Sequence, residues 1–132
     1  MLAEAEMWWE QSQADYAKAK RVKELDQWYL VAFLIQKASE KALKPVHVEV
    51  ERQLPDRTHS LVKLAKSVRV PEDLLSTLRR LNADYVSTRY PDVDGVTPKE
   101  AYDKSMIAER MQYVEEVIGW AQTRISSNSN EE

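Results

Sequence analysis

One histidine in this sequence stands among residues that could do chemistry near neutral pH. His59 is surrounded in the chain by Arg57, Lys63 and Lys66, and Arg89 and Tyr90 follow one predicted helix later. Imidazole is the side chain that titrates in the physiological range. Placed in the first turn of a helix, as predicted here, His59 would feel the positive end of the dipole and stay neutral. A neutral imidazole can accept a proton or contact a ribose hydroxyl, which makes His59 the candidate catalytic residue. Arg57, Lys63, Lys66 and Arg89 are the candidate phosphate ligands, since Arg and Lys near a helix start hold anions well. Tyr90 offers a face on which a base could stack. Tyr85 offers another, although its helical spacing reads more simply as core. Residues 57–90 hold seven basic and three acidic groups in a chain whose net charge is −3. The alternative is a solvated helix face. His47, beside Glu49 on no clear face, reads as structural, and Asp92 and Asp94 read as turn residues.

Other chemistries lack their parts. The chain has no cysteine, which removes disulfides, thiolate metal sites and a Cys nucleophile. It has two histidines and no Glu-x-x-His pair, so no metal site is expected. With two glycines, there is no loop to wrap a phosphate and no dinucleotide fingerprint, and no cofactor is expected. The longest apolar run, residues 28–35, is far short of the 18 or so a membrane span needs. The opening MLAEAEMWWE carries acids where a secretion signal carries Lys or Arg. The expectation is a cytoplasmic protein with no membrane contact.

The elements that position these residues are helices. The length of 132 residues fits one domain, expected over residues 1–125, with an acidic disordered tail at 126–132. Apolar residues recur at three- and four-residue steps from Ala3 to about Val22. Asp26 is the expected cap of a second helix that opens with WYLVAFLI. Apolar on all sides over two turns, this helix must be the buried central one. Pro45 should end or bend it. The alternating VHVEVE at 46–51 has no partner strand in sight and is read as bent helix. A short helix is predicted over 59–68 and an amphipathic one from Pro71 to about Arg89. The last is predicted from a capping box at Thr97 and Glu100 to about Ile125. It carries two apolar stripes, one through Met111, Val114, Ile118 and Ala121, the other through Tyr102, Met106, Tyr113, Val117 and Trp120. Two stripes mean either two neighbours in the same chain or contact with a second subunit, as in a homodimer. The fold class is all-α, an up-and-down bundle of four to five helices.

Several segments then become familiar. MWWEQSQADYAKAK (7–20), WYLVAFLIQKASEKALK (28–44), THSLVKL (58–64) and LNADYVSTRYPD (81–92) occur in this order. The second carries a Q-x-A-x-E-K-A-L-K pattern and the fourth an L-N-x-x-Y-x-x-x-R-Y-P pattern. Together they resemble the HEPN domain (higher eukaryotes and prokaryotes nucleotide-binding) over nearly the whole chain. The resemblance implies a helical bundle, commonly a homodimer, that binds nucleotide or RNA. It further implies a minimal nucleotidyltransferase subunit as partner in a two-component, toxin–antitoxin-like system. Some branches of that family are metal-independent ribonucleases carrying an Arg and, four to six residues on, a His near a late helix. Here Arg89 is followed by YPDVDGVTPKE with no histidine, while Arg52 and His59 have that spacing around an earlier connection. A binding module is therefore the leading expectation. A ribonuclease using His59, or an interaction subunit that binds no nucleotide, are the alternatives.

Overall fold

The computed structural model describes residues 1–55, 57–91 and 95–131. It consists of α1 (Ala3–Lys23), α2 (Trp28–Glu49), α3 (Leu61–Ser67), α4 (Glu72–Asn82), α5 (Asp84–Ser87), α6 (Pro98–Ala101) and α7 (Lys104–Glu131), with no strand among the described residues. The four long helices alternate in direction. Leu2 at the start of α1 donates its amide to Glu49 at the end of α2, and Ser12 bonds the Ala38 carbonyl midway. Thr77 and Arg80 of α4 reach Glu116 and Tyr113 of α7, which pairs those helices antiparallel. Asn128 near the end of α7 donates to the Glu49 carbonyl, so α7 runs alongside α2 in the same direction.

The central helix is α2, as its composition predicts. Val31, Ala32, Ile35, Ala38, Ala42, Leu43 and Val46 have no exposed surface. Each large aliphatic side chain buried this way contributes about 1.5–3 kcal/mol. Pro45 lies inside the helix, which continues to Glu49 and takes the first four residues of the alternating 46–51 segment with it. The chain leaves through Arg52 at φ 55°, after the Glu51 and Gln53 amides have turned back onto the Val46 and His47 carbonyls.

Several boundaries differ from the sequence reading, each for a local reason. Asp26 does not cap α2: it takes φ 57°, the left-handed conformation that Asp tolerates, and closes the turn after α1. Gln27 occupies the cap position without a side-chain bond. His59 is outside α3, not in its first turn, because Ser60 is the N-cap and accepts from the Lys63 amide. The long helix expected to reach Arg89 breaks after Asn82. The Asn82 side chain accepts from the Leu61 amide at the head of α3, while Asp84 is held by Tyr102 and Arg110. Thr97 does precede a helix, but its hydroxyl bonds Glu100 and α6 stops at once. Tyr102 turns extended to reach Asp84, and Asp103 then caps α7 by accepting from the Met106 amide. Helix α7 also continues past Ile125 to Glu131, through the segment read as a tail.

The two stripes of α7 are covered within the chain. Met111, Tyr113, Val114, Val117 and Ala121 are buried, and Met106, Ile118 and Trp120 pack half-buried against the same core. Neighbours α2 and α4 of the same chain account for both stripes. No helix among the described residues is long and apolar enough to cross a membrane.

Candidate functional site

Helix α2 is buried on most sides, yet it carries Lys37, Glu40, Lys41 and Lys44 at three- and four-residue steps on one face. A buried charge needs a partner, and the structure supplies one for three of these four. Asp15 of α1 holds Lys41 at 2.9 Å. Glu40 takes Lys44 at 3.6 Å and the His59 Nδ1 at 2.9 Å. Lys44 also lies 4.4 Å over the Trp8 ring. The side chains of Glu40 and Lys44 are each only 7% exposed, so this face is a buried polar seam and not the solvated surface its charges suggest.

The opposite wall comes from the L-N-x-x-Y-x-x-x-R segment. Leu81 is core, Asn82 holds the head of α3, and Tyr85 stacks its ring on His59 with centroids 4.9 Å apart and planes at 18°. The Arg89 guanidinium sits 4.0 Å from the Tyr85 ring centre and 4.3 Å from that of Phe33, and its Nη1 donates to the Tyr85 carbonyl. Lys37 lies 5.3 Å from the same Phe33 ring. Asp84, beside Tyr85, anchors this wall to the bundle. It accepts from Tyr102 at 2.8 Å and from Arg110 at 3.0 Å. Burial, then the Asp84 charge and hydrogen bond, push the Tyr102 hydroxyl well above its usual range.

Between the walls runs a two-lobed cleft. One lobe, of about 230 Å³, is lined by Trp8, Gln36, Lys37, Lys41, Lys44, His59 and Arg89 with Glu40. The other, of about 430 Å³, shares Trp8, Lys44 and His59 and adds Glu4, Leu54, Pro55 and Arg57. Among the described residues, Lys37, Arg57 and Arg89 have no carboxylate partner, which makes the cleft a place for an anion. An ionised Glu40 only accepts, so the His59 Nδ1–H donates to it and Nε2 is left as the acceptor of the neutral ring. The His59 side chain is 60% exposed at the cleft. No group of three or more His, Cys, Asp or Glu that could hold a metal ion occurs among the described residues.

Of the residues singled out in the sequence, Arg57, His59 and Arg89 come together here. Lys63 and Lys66 are exposed on α3 and do not line the cleft, nor does Tyr90, which is 51% exposed. Arg52 does not line it either, and His47 is buried near the end of α2. Asp92 and Asp94 lie outside the described residues. Sequence reasoning missed Trp8, Phe33 and the lysines of α2. The available signal was three lysines and a glutamate in register on a helix otherwise too apolar to be at the surface.

Comparison with known proteins gives a consistent result. The structure is similar to the crystal structure of TT1696 from Thermus thermophilus, with a TM-score of 0.85 and 26% identity over 93% of this chain and 99% of that one. It is also similar to that of ST0689, described as an archaeal HEPN homologue, with a TM-score of 0.79 and 28% identity over 92% and 97%. No protein of curated function matches significantly. The HEPN domain family matches residues 5–125, nearly the whole chain, and the protein belongs to that family.

Proposed function

We propose that this protein is a nucleotide-binding module whose cleft takes the phosphate groups of a nucleotide or of RNA. One observation carries the reading: Lys37, Arg57 and Arg89, cations without a carboxylate partner among the described residues, surround Trp8 and His59 in a single cleft. Phosphate meets such cations through charge-assisted hydrogen bonds, and Arg does so bidentately. Family membership supports action as a homodimer beside a minimal nucleotidyltransferase subunit, in a two-component, toxin–antitoxin-like pair. Calorimetry with ATP, GTP and a short RNA at low and high salt tests the binding. Affinity should fall as salt rises, because exposed charges are screened beyond about 10 Å at 0.1 M. Arg89→Ala or Arg57→Ala should each lose about 1.5–3 kcal/mol, the size of one hydrogen bond to a charged group. Absence of binding at millimolar ligand and low salt sinks the reading and leaves the cleft as a docking surface.

A second reading is favoured by the Glu40–His59 contact. A carboxylate that orients an imidazole, with Nε2 left to accept a proton, is the arrangement a general base needs. Arg57, Lys44 and Arg89 would then stabilise charge developing on a phosphate during metal-independent RNA cleavage. Such cleavage would persist in EDTA and disappear in His59→Ala. Cleavage that survives His59→Ala removes the catalytic role of this residue.

A further inference from the structure

Arg89 is immobilised to a degree that a surface arginine is not. Its guanidinium carbon stands 4.3 Å from the Phe33 ring centre and 4.0 Å from the Tyr85 ring centre, and Nη1 is fixed on the Tyr85 carbonyl at 2.7 Å. Stacking on rings is a use of the flat guanidinium face. Nε and Nη2 make no hydrogen bond among the described residues. The same Tyr85 ring also stacks on His59, whose other restraint is Glu40. Phe33 comes from α2, and Tyr85 from a four-residue helix locked by Asp84 to Tyr102 and Arg110. Both rings are thus held by the bundle, and both cleft groups are held by the rings.

We infer that Phe33 and Tyr85 are positioning residues that hold Arg89 and His59 as a preset pair, so that Arg89 meets a ligand only through its N–H edge. This rests on the reading of the cleft as an anion site, and it sharpens what that site selects. On this inference the two rings, both centred within 4.3 Å of the guanidinium carbon, cover its faces, so that Arg89 does not stack on a base. It takes an oxyanion in its own plane, so Arg89 reads the phosphate part of a ligand and not its base. Preset donors also spare the ligand the entropy of ordering a long side chain.

The test uses inorganic pyrophosphate and adenosine as probes, with the full chain and its Phe33→Leu, Tyr85→Leu and Tyr85→Phe variants. In the wild type, the His59 ring protons should resonate upfield in NMR spectra because they lie over the Tyr85 ring. Tyr85→Phe keeps the ring and should keep that shift and the pyrophosphate affinity, and Tyr85→Leu should lose both. Phe33→Leu should weaken pyrophosphate about tenfold, a size between those of exposed and desolvated cation–π contacts, and leave the His59 shift in place. Adenosine should respond to none of the three variants. The inference fails if Phe33→Leu binds pyrophosphate as the wild type does, or if Tyr85→Leu leaves the His59 resonances where they were. Absence of pyrophosphate binding by the wild type itself is a different result, and overturns the anion site together with this inference.

Discussion

Nδ1 of His59 lies 2.9 Å from Oε1 of Glu40, a residue 19 positions earlier on a helix that is otherwise the core of the bundle. Glu40 is nearly buried, and its second oxygen faces Lys44, itself nearly buried, at 3.6 Å. One carboxylate therefore serves two groups of different standing, a buried ammonium and a largely exposed imidazole.

Removing that carboxylate should matter mainly through Lys44. Glu40→Ala leaves an ammonium buried with, among the described residues, the Trp8 ring as compensation, and breaking a buried pair this way costs about 3–5 kcal/mol. The His59 half is mostly exposed and should add little. Removing both charges, as Glu40→Leu with Lys44→Met, should recover most of the loss. Urea denaturation of Glu40→Leu, Lys44→Met and the double variant gives the coupling directly. A Glu40→Ala cost of a few tenths of a kcal/mol would show that water reaches Lys44.

Asn82 accepts the Leu61 amide at 2.8 Å, a contact between segments 21 residues apart. It acts as a cap supplied from another helix, completing what Ser60 does from within. Asn82→Ala should cost about 1–2 kcal/mol, the range for a lost N-terminal cap. Hydrogen exchange should quicken at the Leu61 amide first, because that donor loses its acceptor. Unchanged exchange there would refute the capping role.

These two residues also mark how far the sequence could be read. Periodicity placed the long helices because burial of an apolar stripe repeats every turn, and α2 announces itself by being apolar all round. The breaks at Ala83 and Tyr102 were not legible. They arise from Asn82 reaching α3 and from Tyr102 reaching Asp84, contacts between residues distant in the chain. Local rules predict a continuous helix at both places. The site was half legible for the same reason. Arg57, His59 and Arg89 stood out as a basic cluster, whereas Lys44 and Trp8 join it only through the fold, which brings helix α1, helix α2 and His59 to one cleft.

Alkaline stability should report on the α1–α7 contact. The Tyr16 hydroxyl donates to Glu115 at 2.8 Å. Partial burial first, then that bond and the Glu115 charge, push its pKa from 10.0 up to about 12. A folded pKa above the unfolded one gives a contribution that is intact below pH 10.0 and is lost as pH rises through about 12. Tyr16→Phe should flatten the fall in urea midpoint across that window. It should not abolish it, since Tyr102 is raised too and titrates in the same direction. An unchanged slope in Tyr16→Phe would mean that the hydroxyl is solvated and free of Glu115.

The proposed homodimer needs a different surface from the one the sequence suggested. The second stripe of α7 meets α4 through Tyr113, which is buried and bonded to Arg80, so most of it is covered within the chain. Among the large apolar side chains that face solvent, Leu54 lines the cleft and is 76% exposed, and Met7, next to Trp8 in the chain, is 70% exposed. Exposed large apolar side chains are the kind that association covers. A twofold contact there would bring the same residues of both copies together. Light scattering at micromolar concentration should then give about twice the chain mass of 15.3 kDa. Met7→Lys with Leu54→Lys should return the mass to that of one chain, because four added ammonium groups would repel across the contact. A wild-type species of 15.3 kDa defeats the dimer outright. A dimer untouched by the double variant places its interface elsewhere on the bundle.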